Sequence, residues 1–129
     1  MPSLFTRIVN GEIPCHKVAE DDRFLAFLDI NPLREGHTLV IPKIEVDRFF
    51  DLPKDVLAGI LPFAQDIARR IEAVVPCDRV GITVIGLEVP HAHVHLIPID
   101  RVVDMDFGRP KLKLTKEDLA TIAARLRAV

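Results

Sequence analysis

Residues 90–98 read Pro-His-Ala-His-Val-His-Leu-Ile-Pro and place His91, His93 and His95 at alternate positions. Successive side chains of a β-strand point to opposite faces, so this pattern predicts a half-buried strand with its histidines on one face. The chain contains only 5 histidines, and imidazole can act near neutral pH as nucleophile, acid, base or metal ligand. We therefore expect the chemistry of the protein to lie on this strand.

The rest of the chain predicts an α+β fold. Apolar runs bounded by Gly, Pro, Asn and Asp predict strands near residues 16–19, 24–29, 37–41, 80–85 and 91–97. Short turns between strands favour antiparallel pairing over parallel crossovers. The expected architecture is a five-stranded antiparallel meander sheet with a long helix and short terminal helices.

Three helices follow from periodicity and capping. Residues 54–74 carry apolar side chains at the i, i+3, i+4, i+7 spacing, which predicts the long helix, with a kink expected at Pro62. Ser3 is positioned to cap a short helix before Asn10-Gly11. Thr115 and Asp118 form a capping-box pattern that opens the last helix.

Length and composition favour one domain. The 129 residues fit a single unit spanning 1–129, with a core at about 3–98 and a tail and helix at 100–129. The formal net charge of −2 offers no general attraction to nucleic acid or to an anionic membrane. Cys15 and Cys77 form no close pair, which favours reduced thiols and a cytoplasmic location.

The spacing of the three histidines leaves three interpretations open. Imidazoles two residues apart can bind one zinc ion if a further ligand comes from elsewhere. One imidazole can instead act as a nucleophile while its neighbours orient it and donate hydrogen bonds. The third interpretation is that these are incidental strand histidines with local hydrogen bonds.

Three stretches resemble the histidine triad family of nucleotide-binding proteins. They are residues 86–97 (GLEVPHAHVHLI), residues 24–43 (FLAFLDINPLREGHTLVIPK) and residues 3–14 (SLFTRIVNGEIP). The resemblance covers most of residues 3–98 in the family's order. It implies the sheet described above, paired across a homodimer into one extended sheet.

The resemblance also implies roles for four histidines. His93 matches the nucleophile that attacks the α-phosphorus and forms a nucleotidyl-histidine intermediate, which water hydrolyses. His95 matches the residue that hydrogen-bonds the phosphate and leaving group. His91 matches the member that orients the nucleophile, and His37 matches a further histidine close to the triad.

A purine nucleotide is the small-molecule partner that the resemblance implies, with no cofactor and no metal in the covalent step. Asp29 matches the carboxylate that binds the ribose hydroxyls. The positions that match the apolar clamp around the base are Leu4, Phe5, Ile8, Phe27 and Ile30.

Several positions depart from the family pattern. Leu87 stands where many relatives have a glutamine that touches the phosphate, and the loop before it lacks an asparagine. Glu88 would repel a phosphate unless its side chain points away. Some bacterial relatives bind structural zinc at positions that here hold Ser3, Thr6 and Glu45, so we expect no zinc site.

The sequence therefore predicts an enzyme, a histidine triad nucleotide hydrolase or transferase. Its expected substrate is a nucleoside monophosphate with a leaving group, of the phosphoramidate type. Two alternatives remain: a dinucleoside polyphosphate hydrolase, and a nucleotide-binding or interaction module with weak catalysis, which the change at Leu87 permits. A metalloenzyme is a more distant alternative.

Overall fold

A computed structural model describes residues 2–129 and contains the predicted five-stranded antiparallel sheet. The strand order across the sheet is β1-β2-β3-β5-β4. The strands are β1 Lys17–Glu20, β2 Phe24–Leu28, β3 Thr38–Pro42, β4 Arg79–Thr83 and β5 Val94–Ile99.

The helices begin and end close to where their caps predict. They are α1 Leu4–Val9, α2 Lys54–Val74 and α3 Lys116–Arg127, with short 3-10 helices at Phe49–Asp51 and Val102–Met105. The Ser3 hydroxyl accepts the Thr6 N–H at 3.0 Å, which confirms the predicted cap of α1. Within residues 2–129, no helix has the length and apolar character needed to cross a membrane.

The strand order departs from a simple meander at one point. Strands β1, β2 and β3 pair consecutively, but β5 lies between β3 and β4. The long helix α2 separates β3 from β4 in the chain. Strand β3 pairs with β2 along one edge, and β5 pairs with its other edge. The strand that follows the first histidines is therefore an interior strand, and β1 and β4 form the two edges.

The two faces of the sheet bury different side chains. Helices α2 and α3 pack on one face, over a large cluster that includes Val94 and Leu96. A smaller cluster on the other face contains Phe5 from α1. The alternation of β2 and β3 between these clusters follows the period of two expected for strands.

The predicted strand at 91–97 is shifted in the structure. It spans Val94–Ile99, so His91 and His93 lie in the loop before β5. The expectation of a half-buried strand was also wrong, because every residue from 91 to 98 is buried. The histidine side is covered by Phe5 of α1 and by Phe107, which follows β5.

Candidate active site

A cavity of about 580 Å³ lies on the α1 side of the sheet, within the size range of small-molecule sites. Most of the predicted site residues line it: Leu4, Phe5, Ile8, Phe27, Asp29, Ile30, His93 and His95. His37 and His91 do not line it but are fully buried nearby, 1% and 0% exposed. The fold thus gathers residues from four separate parts of the chain around one cavity.

The backbone fixes the tautomer of His93. Its Nδ1 lies 2.7 Å from the carbonyl oxygen of His91, and because a carbonyl only accepts, Nδ1 carries the proton and donates. The lone pair of the neutral ring is then on Nε2. Burial lowers the pKa of His93, which keeps that lone pair free of a proton near neutral pH.

A second chain of hydrogen bonds fixes the tautomer of His95. The Leu33 N–H donates to His37 Nδ1 at 3.1 Å, so the neutral His37 ring carries its proton on Nε2. That Nε2–H donates to His95 Nδ1 at 3.0 Å, which leaves the His95 proton on Nε2. Burial lowers the pKa of His37 to about 3 and that of His95 to about 4.

His91 supports the loop that presents His93. Its Nε2–H donates to the Pro42 carbonyl at 2.8 Å, which ties the loop to the end of β3. Its Nδ1 lies 2.9 Å from the Ser3 hydroxyl. Glu45 joins the same cluster by accepting the Ser3 N–H at 2.5 Å. The positions where some relatives bind zinc thus meet in space, as a hydrogen-bonded cluster around one imidazole.

Asp29 lies at the end of β2 beside the histidines. One carboxylate oxygen accepts the Asn31 N–H at 2.8 Å, and the other lies 3.6 Å from His37 Nε2. Burial raises the pKa of Asp29, and the Asn31 N–H opposes that shift. A carboxylate in this position can accept hydrogen bonds from a ligand in the cavity.

Apolar side chains form the opposite part of the cavity. The ring of Phe5 meets the rings of Phe27 and His93 edge-on, at centroid distances of 5.5 and 5.0 Å. Leu4 is 47% exposed and Ile30 is 63% exposed, although both line the cavity. Exposed apolar side chains around a concave site favour a flat apolar ligand group such as a nucleobase.

Residues 100–114, which we name the C-terminal segment, form a cavity wall that the sequence analysis missed. Phe107 packs its ring against the rings of His95 and His37 at 4.9 and 6.1 Å, and Lys111 also lines the cavity. The tail predicted after residue 98 contains a 3-10 helix, Val102–Met105, before α3. No periodicity in this polar stretch marks Phe107 or Lys111 as site residues.

Asp104 holds the C-terminal segment against the sheet. Its carboxylate is 4% exposed and accepts the N–H groups of Asp100 and Arg101 at 2.8 and 3.0 Å. It also pairs with Arg34 at 3.0 Å and with Arg109 at 3.4 Å. The Asp100 N–H, the Arg101 N–H and the neighbouring guanidinium groups together hold the pKa of Asp104 at about 2.

The loop before His91 departs from the family pattern as the sequence indicated. Leu87 lines the cavity and is 89% exposed, so this position offers an apolar side chain in place of an amide. Glu88 lines the cavity rather than pointing away from it. This side of the cavity therefore offers an apolar group and a carboxylate to an incoming phosphate.

One group of side chains could be considered for a metal ion. Within residues 2–129, Asp29, His37 and His95 offer ligand atoms that lie within 4.8 Å of one another. His37 fits that role poorly, because the Leu33 N–H occupies the lone pair on Nδ1. Its Nε2 could bind a metal only as an imidazolate or after loss of that hydrogen bond.

Comparisons with known proteins show what this chain is similar to. The family model described as the HIT domain matches residues 10–102. The adenosine 5'-monophosphoramidase of Schizosaccharomyces pombe is 33% identical over 129 residues, covering 98% of this chain and 96% of the relative. An adenylylsulfatase of Arabidopsis thaliana is 35% identical over 100 residues, covering 74% of this chain and 51% of the relative.

The fold comparison covers nearly the whole chain. A crystal structure of a Hit-like protein from Bartonella henselae, described as involved in cell-cycle regulation, aligns with a TM-score of 0.86. It is 29% identical, and the alignment covers 98% of this chain and 94% of that one. The matched domain, the sheet and the three clustered histidines together show that this chain belongs to the histidine triad (HIT) family.

Proposed function

We propose that the protein cleaves the bond between the α-phosphorus and the leaving group of a nucleoside monophosphate derivative, through a nucleotidyl-His93 intermediate. The observation that carries this proposal is the tautomer of His93. Its Nδ1–H is held by the His91 carbonyl at 2.7 Å, and the ring lines the cavity. A neutral imidazole with an available Nε2 lone pair is an effective nucleophile near neutral pH.

The proposed reaction has two displacements. In the first, His93 Nε2 forms a bond to phosphorus while the bond to the leaving group breaks. His95, whose Nε2–H follows from its bond to His37, donates to the phosphoryl oxygen or to the departing group. In the second, water attacks phosphorus and the bond to His93 breaks: the hydroxyl stays on the nucleoside monophosphate, and the remaining proton of water replaces the one that left with the amine, which restores neutral His93 and His95.

The cavity supports a nucleotide as the substrate. The apolar side chains Leu4, Phe5 and Ile30 offer contacts to a base, and Asp29 offers acceptors to the ribose hydroxyls. We propose a purine nucleotide with an amine leaving group, because the Schizosaccharomyces pombe relative is named as an adenosine 5'-monophosphoramidase.

Two alternatives share this cavity. A dinucleoside polyphosphate would replace the amine by a second phosphate chain and use the same nucleophile. A binding module with weak catalysis would keep nucleotide affinity without turnover. Leu87 favours the second alternative, because it puts an exposed apolar side chain where relatives have an amide that touches the phosphate.

Trapping the intermediate tests the proposal. The protein is mixed with adenosine 5'-phosphoramidate labelled at the α-phosphorus, quenched at alkaline pH, and the labelled peptide is mapped. We expect label on the peptide that contains His93, released by acid as the monophosphate. Tight binding of the monophosphate with neither label nor turnover would favour the binding module.

We also propose that the protein forms a homodimer through an exposed sheet edge. Strand β4 is an edge strand, and Ile82 on it is 50% exposed. Pairing two edge strands would satisfy their free backbone groups and cover apolar surface. Sedimentation at micromolar concentration is expected to give twice the chain mass of 14.5 kDa, and a monomer there would contradict the proposal.

A further inference from the structure

The charges around the cavity are poorly suited to a phosphate, with one exception. Of the charged side chains that line it, Asp29 and Glu88 are carboxylates, and Lys111 is the one Lys or Arg. The lining histidines offer no permanent positive charge, since burial lowers the pKa of both His93 and His95. Lys111 is therefore the one permanent cation among the described lining residues.

The ammonium group of Lys111 is held without being neutralised. Its Nζ donates to the carbonyl oxygens of Phe107 and Arg109 at 2.5 and 3.2 Å. Within residues 2–129 it forms no ion pair with a carboxylate. An ammonium has three N–H donors, so one donor and the full charge remain available to a ligand.

The ring of Phe107 lies near both the ammonium group of Lys111 and the ring of His95. The Lys111 Nζ lies 6.0 Å from the centroid of the Phe107 ring, and the same ring packs 4.9 Å from that of His95. The Leu112 N–H donates to the Pro32 carbonyl at 2.9 Å. This bond ties the lysine's part of the chain to the loop that follows Asp29.

We propose that Lys111 is a substrate-binding residue that holds the anionic phosphoryl part of the nucleotide. The proposal rests on the proposed function, because it requires a nucleotide in this cavity. It assigns a ligand class: nucleotides with a negatively charged phosphoryl group bind in preference to the corresponding nucleosides. Leu87 and Glu88 also line the cavity, and neither side chain offers a donor to a phosphate.

A purely structural role for Lys111 makes a different prediction. Its two bonds to carbonyls could serve only to close the turn between Phe107 and Lys111. Loss of the lysine would then loosen the turn and disturb the ring of Phe107. A ligand without phosphate would suffer as much as one with phosphate.

Binding of adenosine and of adenosine monophosphate separates the two roles. Both ligands are titrated by calorimetry into the wild type and into the Lys111→Met, Lys111→Arg and Lys113→Met variants. Lys113 is the matched control, since it is exposed in the same segment and does not line the cavity. For Lys111→Met we expect monophosphate affinity to fall about tenfold, the scale of one charged hydrogen bond, and adenosine affinity to change less than about twofold.

The other variants and the salt dependence complete the test. Lys111→Arg should keep most of the monophosphate affinity, and Lys113→Met should match the wild type. Raising the salt from about 50 to about 300 mM should weaken monophosphate binding to the wild type more than to Lys111→Met, because salt screens the charge pair. Equal losses for adenosine and the monophosphate, or no loss for either, would overturn the role of Lys111.

The outcome for Lys111 can be distinguished from that of the proposed function. Failure to trap a nucleotidyl-His93 adduct, with a selective loss in Lys111→Met, would reject the chemistry and keep the binding role. Normal turnover, with no selective loss of monophosphate affinity in Lys111→Met, would keep the chemistry and reject the binding role of Lys111. A wild type that binds neither ligand would overturn both.

Discussion

Residues 91–99 and the C-terminal segment line the same cavity but are held there in different ways. The His93 ring is oriented by a carbonyl two residues away, whereas the C-terminal segment depends on Asp104, which pairs with Arg34 about 70 residues earlier. The first arrangement is built into local backbone geometry. The second exists only once distant parts of the chain have met.

We expect the histidines that line the cavity to carry the chemistry and the C-terminal segment to contribute to binding. Substitution of His93 or His95 should remove steps of the reaction and leave the fold in place, because these two imidazoles line the cavity. Substitutions in the C-terminal segment should change affinity and stability and leave the nucleophile intact. Four predictions, beginning with the largest expected effect, test how chemistry, binding and stability are divided among the site residues, and the Lys111 variants test the C-terminal segment.

His93→Ala should abolish both turnover and the covalent adduct, since the other imidazole that lines the cavity, His95, carries its proton on Nε2 and has its Nδ1 lone pair occupied by His37. Turnover and adduct are measured together with labelled phosphoramidate. His16→Ala is the matched control, because His16 does not line the cavity, and it should behave as the wild type. An adduct that persists in His93→Ala would place the nucleophile elsewhere.

His95→Ala should slow turnover roughly a hundredfold, the usual cost of losing one donor to the transition state. The donor is the Nε2–H that the His37 bond fixes. Single-turnover kinetics should show slower adduct formation with substrate affinity nearly unchanged. A change confined to affinity would mean that His95 binds the ground state and does not assist the displacement.

Asp29→Ala should weaken nucleotide binding about tenfold, the scale of one hydrogen bond to a charged group. The carboxylate lines the cavity and has an oxygen 3.6 Å from His37 Nε2. A 2',3'-dideoxy nucleotide is the control, since it lacks the diol and should bind the wild type and the variant alike. Equal losses for both nucleotides would show that Asp29 does not contact the ribose.

Lowering the pH should destabilise the fold in a defined window. Burial lowers the folded-state pKa of His37 to about 3 and of His95 to about 4, below the unfolded value of about 6.5. The unfolded chain therefore binds more protons below pH 6.5. Each of these histidines then costs up to about 1.4 kcal/mol of unfolding free energy per pH unit as the pH falls towards 4.

Urea titrations between about pH 6.5 and pH 4.5 measure this slope. His37→Gln should give a shallower slope than the wild type, because it removes one of the buried imidazoles whose pKa is lowered, and His16→Gln should keep the wild-type slope. An unchanged slope in His37→Gln would show that His37 is already protonated in the folded protein.

The boundaries of the helices and the faces of the strands could be predicted because local physics decides them. Ser3, Thr115 and Asp118 cap helices through hydrogen bonds within three residues. The alternation of apolar side chains placed Val94 and Leu96 on the face opposite the histidines, as observed. The strand order could not be read in the same way, because β5 pairs with β3 across a long helix.

The residues of the candidate site also fall into two groups, those that local spacing predicts and those that only the tertiary structure places. The amino-acid sequence by itself determined that three histidines alternate beside an apolar strand and that Asp29 follows another strand, because spacing in the chain carries that information. The tertiary structure alone decided that Phe107 and Lys111 join them. Their placement depends on the buried carboxylate of Asp104 and its distant arginine, and no local pattern encodes an ion pair between residues so far apart in the chain.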